Sequence, residues 1–238
     1  LYGLETARRF IESGAYKIRY CTKDLVQELQ MLVSNFAAYS MQKQIKLQFQ
    51  PGAEVQCATR KFTYDENVVR TIVSNLLSNA CKFTPEYGFI QVTLSSQPDV
   101  RELTITVSDT GIGISQQDLT RIFDRFYQSD DSSGRYFGGS GIGLSLVKEL
   151  AILHGGHVKV ESEPEVGSRF TITLKEGESG TDYGYDMSMP PAAIQQVLEE
   201  TVVLENETAL PTILIAEDHL ELRRFIRDSL GAFYHYIE

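Results

Sequence analysis

The spacing of apolar residues changes several times along the chain, and each change predicts an element. Leu4, Ala7, Phe10 and Ile11 recur at helical spacing until Gly14, so residues 1–13 read as the last turns of a helix. A short strand is expected around Lys17–Tyr20. Thr22 is a plausible cap for an amphipathic helix running to about Gln42, with Leu25, Leu29, Leu32, Val33 and Phe36 as its core stripe. Ile45–Gln50 and Glu54–Thr59 alternate on either side of Pro51-Gly52, the pattern of a hairpin. A second long helix is predicted from Asp65 to Phe83, stopped by the Thr84-Pro85 break.

Strands follow at Phe89–Ser95 and Glu102–Asp109, the second running directly into Gly111 and Gly113. Ser115 can cap a short helix through Phe126, and a Gly- and Ser-rich stretch leads to Gly141. A helix over Ile142–His154 and strands near His157–Glu161 and Ser168–Lys175 complete the set. Helices and strands mix without strict alternation, which predicts a two-layer α/β sandwich with a largely antiparallel sheet. From Glu176 to Leu210 the pattern dissolves into Gly, Ser, Asp, Glu and Pro, read as a linker with one short helix after Pro190-Pro191. Thr212–Ala216 as strand, Asp218–Leu230 as helix and Phe233–Ile237 as strand then look like the opening of a doubly wound unit. The expected segments are therefore 1–14, 15–175, 176–210 and 211–238.

Composition alters this picture in few places. With 42% apolar and 23% charged residues the chain is an ordinary globular protein, and no apolar run reaches the ~18–20 residues of a membrane span. The formal charge of −10 is concentrated: residues 176–210 hold eight acids and no Lys, Arg or His. That balance argues against nucleic-acid binding by this segment, and nothing in it calls for membrane contact. Cys21, Cys57 and Cys81 lack metal-ligand spacing and read as small buried residues in a reducing compartment. The chain opens on Leu1 without a signal segment, so it is expected to be cut from a larger protein.

Four segments carry candidate chemistry. In Asn75-Leu76-Leu77-Ser78-Asn79-Ala80-Cys81-Lys82-Phe83, the residues Asn75, Asn79, Lys82 and Phe83 share one helix face. Asp109-Thr110-Gly111-Ile112-Gly113 puts a carboxylate at a strand end, followed by glycines that let backbone approach a flat ring. Ile122-Phe123-Asp124-Arg125-Phe126-Tyr127 is an aromatic stripe. Gly138-Gly139-Ser140-Gly141-Ile142-Gly143-Leu144 opens onto a helix start, where backbone N–H groups bind anions. Each alone has a plainer reading: surface amides, a turn, core packing, a loop.

In this order and spacing the four closely resemble the asparagine, first glycine, phenylalanine and second glycine boxes of histidine kinases, within the Bergerat-type ATPase fold. The resemblance covers about residues 15–175 and extends to Gly167-Ser168-Arg169-Phe170. It implies ATP and Mg²⁺ as ligands. Asn79 would be the Mg²⁺ ligand with Asn75 beside it, Lys82 would approach phosphate, and Phe83 would sit against the nucleotide. Asp109 would accept from the adenine amino group, with Gly111 and Gly113 beside the base. Gly139, Gly141 and Gly143 would hinge an ATP lid at Ser129–Ser140 and meet the phosphates, Phe126 and Leu144 would contact the nucleotide beside them, and Thr171 could support the adenine end through water. The family often has Arg just after its Phe-Tyr pair, whereas Gln128 stands here, so Arg125 and Arg135 both remain candidates for the cation at the γ-phosphate.

The family's acceptor is a His on a separate dimerisation domain. None of His154, His157, His219 and His235 lies in the acceptor pattern, so that histidine is expected upstream, and the full protein is expected to be a homodimer. Ile213-Leu214-Ile215-Ala216-Glu217-Asp218 resembles the first strand of a receiver, which would make the parent a hybrid sensor kinase anchored in a membrane upstream, this part being cytoplasmic. Other readings are a nucleotide-binding module without phosphotransfer and a Bergerat-type ATPase. Against the ATPase stands Asn75, because the hydrolysing branches generally hold Glu there and an amide cannot act as a general base near neutral pH.

Overall fold

The computed structural model describes residues 17–56, 61–128, 141–178, 212–214 and 235–237. Two compact units divide the chain, 1–202 and 203–238. In the first, β1 (Cys21–Lys23) leads into α1 (Leu25–Asn35) and α2 (Ala37–Gln42), followed by β2 (Lys46–Pro51), α3 (Ala53–Gln56) and β3 (Phe62–Tyr64). Next come α4 (Glu66–Phe83), β4 (Phe89–Gln97), β5 (Glu102–Asp109) and α5 (Gln116–Leu119). The described part of the unit closes with α6 (Gly143–Leu153), β6 (His157–Glu163) and β7 (Gly167–Lys175).

The main sheet has the order β2-β4-β5-β7-β6, antiparallel except for the β2–β4 pair, as the mixed α/β expectation requires. Period-two alternation sorts it into two faces. Three cross-strand rows are apolar: Phe49-Val92-Val107-Phe170-Val160, Pro51-Leu94-Ile105-Ile172-Val158, and the shorter Leu103-Leu174 pair. Helices α1, α4 and α6 pack on this sheet, and α4 packs on both other helices. Within α4, Val68, Val69, Ile72, Val73, Leu76 and Leu77 are all buried, each contributing about 1.5–3 kcal/mol relative to exposure.

Local chemistry sets the helix ends. Asp24, not Thr22, caps α1, its carboxylate accepting the Gln27 N–H at 3.0 Å, while Thr22 is part of β1. The helix expected to reach Gln42 without interruption breaks at Phe36, whose buried ring ends the core stripe. Asp65 caps α4 by accepting from Asn67 N and Val68 N. The hairpin expected across Pro51-Gly52 does not form. Instead, β2 runs parallel to β4, and Gly52 is followed by the short helix α3.

The first and last described segments of this unit meet. The β1 strand pairs with β3, and Arg19 N–H donates to the Asp65 carboxylate at 2.7 Å. The Tyr20 ring stands edge-on to the buried His154 ring, centroids 5.4 Å apart. Gly177 N–H donates to Thr63 O at 2.8 Å, and a β-carbon on Gly177 would lie 2.5 Å from the Tyr20 ring. In the second unit β8 (Thr212–Leu214) pairs parallel with β9 (His235–Ile237). The helix expected at 1–13, the linker beyond residue 178 and the segment joining β8 to β9 lie outside the described residues.

Candidate nucleotide site

At one end of the apolar sheet face, chemistry changes within a single row. Leu47 and Ile90 are followed across the strands by Asp109, Ser168 and Ser162, which the register places side by side on the face that the helices cover. Asp109 Oδ1 accepts the Gly111 N–H at 2.8 Å and the Ser168 N–H at 3.3 Å, while Oδ2 takes no hydrogen bond among the described residues. Burial pushes the Asp109 carboxyl up from its ordinary range, and those two amide bonds act the other way. A half-buried acceptor with a spare oxygen is suited to a ligand N–H.

The glycines after Asp109 close the loop onto the protein itself. A β-carbon on Gly111 would stand 2.7 Å from both the Phe83 carbonyl and Asp109 Oδ1, and Ile112 N–H donates to the same Phe83 carbonyl at 3.2 Å. Gly113 has φ +70°, and its β-carbon would lie 2.0 Å from the Glu163 carbonyl. The space these residues leave open is thus filled by backbone, which fastens the loop to the end of α4 and to the β6–β7 turn.

From that point α4 leads to the start of α6. Lys82 Nζ sits 5.1 Å from the Phe83 ring centroid. One helical turn apart, Asn79 is half-buried and Asn75 is buried. Asn75 Nδ2 donates to Thr71 O at 2.8 Å, which turns Oδ1 toward Gly143, the first residue of α6. Among the described residues no side-chain cap is seen at the start of α6, which suits the N–H groups of its first turn to a ligand or water. Leu144 packs against the core beside them. From Asn75 to Phe83 the helix covers about 12 Å, at 1.5 Å per residue.

Gly141 and Phe126 hold the two ends of the glycine- and serine-rich stretch together. Phe126 N–H donates to Gly141 O at 3.0 Å; both residues have positive φ, and a β-carbon on Gly141 would lie 2.8 Å from the Phe126 backbone. The Phe126 side chain is 61% exposed. The helix expected from Ser115 to Phe126 is confined to Gln116–Leu119, with Ser115 capping through Asp118 N–H. Arg125 reaches Glu149 on α6 at 3.1 Å. Arg135, Gly139 and the expected lid at Ser129–Ser140 lie outside the described residues.

Thr171 is not brought to this cluster. It pairs with Thr106 and Lys159, on the opposite sheet face from Asp109 and three residues along β7 from Ser168. The hydroxyl beside Asp109 is that of Ser168, to which the family resemblance gives no role beyond its place in a glycine-containing strand. The signal was present: buried Phe170, Ile172 and Leu174 set the inward parity, which Ser168 shares and Thr171 does not.

Comparison with known proteins bears on the family and the fold. Residues 64–178 match the family described as histidine kinase-, DNA gyrase B-, and HSP90-like ATPase. The sensor histidine kinase TmoS of Ectopseudomonas mendocina is 37% identical over 91% of this chain and 23% of its own length. Hybrid signal transduction histidine kinase D of Dictyostelium discoideum is 31% identical over 80% of this chain and 12% of its own. The chain therefore spans less than a quarter of either relative. Among solved structures, full-length ShkA in complex with AMPPNP superposes with a TM-score of 0.60 at 21% identity, over 94% of this chain and 42% of that one, a likeness of fold. Residues 64–178 thus match the histidine kinase-, DNA gyrase B-, and HSP90-like ATPase family, and the relatives that span most of this chain are histidine kinases.

Proposed function

We propose that residues 17–178 bind Mg-ATP as the catalytic part of a sensor histidine kinase and pass the γ-phosphoryl group to a histidine on a dimerisation domain outside this sequence. The observation that carries the reading is the arrangement at the two ends of the Asn75–Phe83 stretch. At one end lies the spare oxygen of Asp109, and at the other the uncapped start of α6 beside Asn75 Oδ1. A base amino group suits the first and phosphate oxygens the second, and the helical stretch Asn75–Phe83 that runs from one toward the other, about 12 Å long, is of the order of an extended nucleotide. In the transfer, the bond from γ-phosphorus to the bridging oxygen breaks, ADP keeps that oxygen, and a bond to an imidazole nitrogen forms.

A divalent cation fits this site only in company with phosphate. Asn75 and Asn79 offer neutral amide oxygens, and among the described residues no group of three or more His, Cys, Asp or Glu stands together. Few protein ligands suffice for Mg²⁺ already bridged by phosphate oxygens, and the ion would screen their charge. Lys82 supplies a cation on the same helix. Arg125 reaches Glu149, and Arg125 and Arg135 both stand as candidates for the cation at the γ-phosphate. Because Asn75 is an amide whose nitrogen is committed to Thr71, it does not activate water, which favours transfer over hydrolysis.

Residues 211–238 are read as the start of a receiver, with Glu217 and Asp218 as half of its cation pocket; the parallel pairing of β8 and β9 is in keeping with that. The parent is then a hybrid kinase and a homodimer, anchored outside this segment. No helix of the described residues is long and apolar enough to cross a membrane. Titrating the full chain with ADP, with and without Mg²⁺, and then adding a dimerisation domain and labelled ATP tests the reading. Micromolar ADP binding and an acid-labile label on the added domain are expected. Absence of nucleotide binding overturns the proposal, and binding without any transfer reduces it to a nucleotide module.

A further inference from the structure

We infer that Ser162 is a positioning residue that sets the direction of the Ser168 hydroxyl and thereby sharpens the choice between a purine carrying a 6-amino group and one carrying a 6-oxo group. The inference rests on the adenine-nucleotide reading above. Ser162 Oγ has three neighbours: Gly167 O at 2.8 Å, Ile114 N at 2.9 Å and Ser168 Oγ at 2.9 Å. A carbonyl only accepts, so the single proton of Ser162 goes to Gly167 O. The Ile114 N–H can only donate, and it occupies one lone pair of Ser162. For the contact with Ser168 to be a hydrogen bond, Ser168 must be its donor, because the alternative sets lone pairs against each other.

The result is a hydroxyl with fixed polarity. Ser168 spends its proton on Ser162 and presents only acceptor character next to Asp109, whose N–H bonds likewise leave only an acceptor oxygen. Two neighbouring acceptors on one sheet face welcome a donor such as an exocyclic amine and disfavour a carbonyl. Asp109, Ser168 and Ser162 are consecutive in one cross-strand row, so the constraint is built into the register. The same oxygen ties the loop after Asp109 to the β6–β7 turn, through Ile114 on one side and Gly167 on the other.

Without the Ser162 hydroxyl, Ser168 is free to rotate and donate. A 6-oxo base then recovers one hydrogen bond, worth a factor of roughly three to ten. The test compares ADP with inosine diphosphate, which differ at the 6-position in the sense that matters, by calorimetric titration of the full chain. Ser162→Ala is expected to lower the ADP preference by that factor, and Ser162→Thr, which keeps the hydroxyl, to restore it. In a Ser168→Ala background, Ser162→Ala is expected to change the preference no further. A merely structural role would lower both affinities together and leave their ratio alone, and that outcome overturns the inference. Coupling absent from the double-mutant cycle overturns it too. Failure of the unmodified chain to bind ADP removes the adenine reading itself, a result distinct from an unchanged ratio.

Discussion

A β-carbon on Gly143 would stand 2.7 Å from Oδ1 of Asn75, so the first residue of α6 and the middle of α4 meet with no room for a methyl group. Asn75 cannot swing aside freely, because it is buried and its nitrogen is held by Thr71 O. Gly143→Ala therefore pits a gain in helix propensity, about 0.5–1 kcal/mol, against a displaced amide. The expected outcome is a melting temperature close to the parent's with Mg-ADP affinity reduced roughly tenfold, about 1.4 kcal/mol. Calorimetry and a thermal melt check this, and equal affinity would show that Asn75 yields without cost.

Asp109→Asn separates binding from stability. Burial raises the Asp109 carboxyl, so the folded state holds that proton more tightly than the unfolded chain. Its contribution to stability is therefore present at low pH and lost as pH rises through the folded value, leaving the ionised group a burden at neutral pH. Asn keeps an oxygen for the Gly111 and Ser168 amides but loses the charge. A melting temperature equal to or above the parent's is expected at pH 7, with ADP affinity down about ten- to a hundredfold. A lower melting temperature together with intact affinity would contradict both halves.

His154 makes the domain sensitive to mild acid. The ring is fully buried, and its Nε2 accepts the Asp65 N–H at 3.0 Å; protonation would set two donors face to face. Burial lowers its pKa from 6.5, with the Asp65 charge acting the other way. Between the folded value and 6.5 the unfolded chain binds more protons, so this contribution is complete above 6.5 and is lost as pH falls through that window. Urea midpoints measured at pH 7.5 and 5.5 should fall toward acid, and His154→Gln should flatten the difference. An unchanged slope in the variant would assign the acid sensitivity to another group.

Asn79→Ala probes the cation. If Asn79 contributes an oxygen to phosphate-bridged Mg²⁺, the variant loses the Mg²⁺-dependent part of ADP affinity and stops transfer to an added dimerisation domain. Metal-free ADP binding, which leans on Asp109, should be little affected. Equal loss in both conditions with early melting would make Asn79 a packing residue.

Much of this was legible in the sequence because it is local. The long α4 helix with its Thr84 stop and the strand ending at Asp109 follow from periodicity and from break residues within a few positions. What failed was non-local. The alternation around Pro51-Gly52 looks the same for a hairpin and for an edge strand that pairs with β4, and only the tertiary partner decides between them. Ser168 was missed for another reason. A resemblance points to a strand, but the side chain that reaches the site depends on parity, fixed by Phe170 and Ile172. Asp24 displaced Thr22 as a cap because Thr22 is used in pairing with Thr63.

The meeting of Tyr20 with Gly177 has a topological consequence. Chain enters and leaves the ATPase domain at one corner, joined by the Gly177 bond to Thr63 and the pairing of β1 with β3. Such closely spaced ends are the arrangement that tolerates circular permutation and domain insertion. A permuted protein, with 178 linked back to 17 by a short glycine-rich bridge and new termini opened in an exposed turn such as 99–101, should fold and keep its nucleotide.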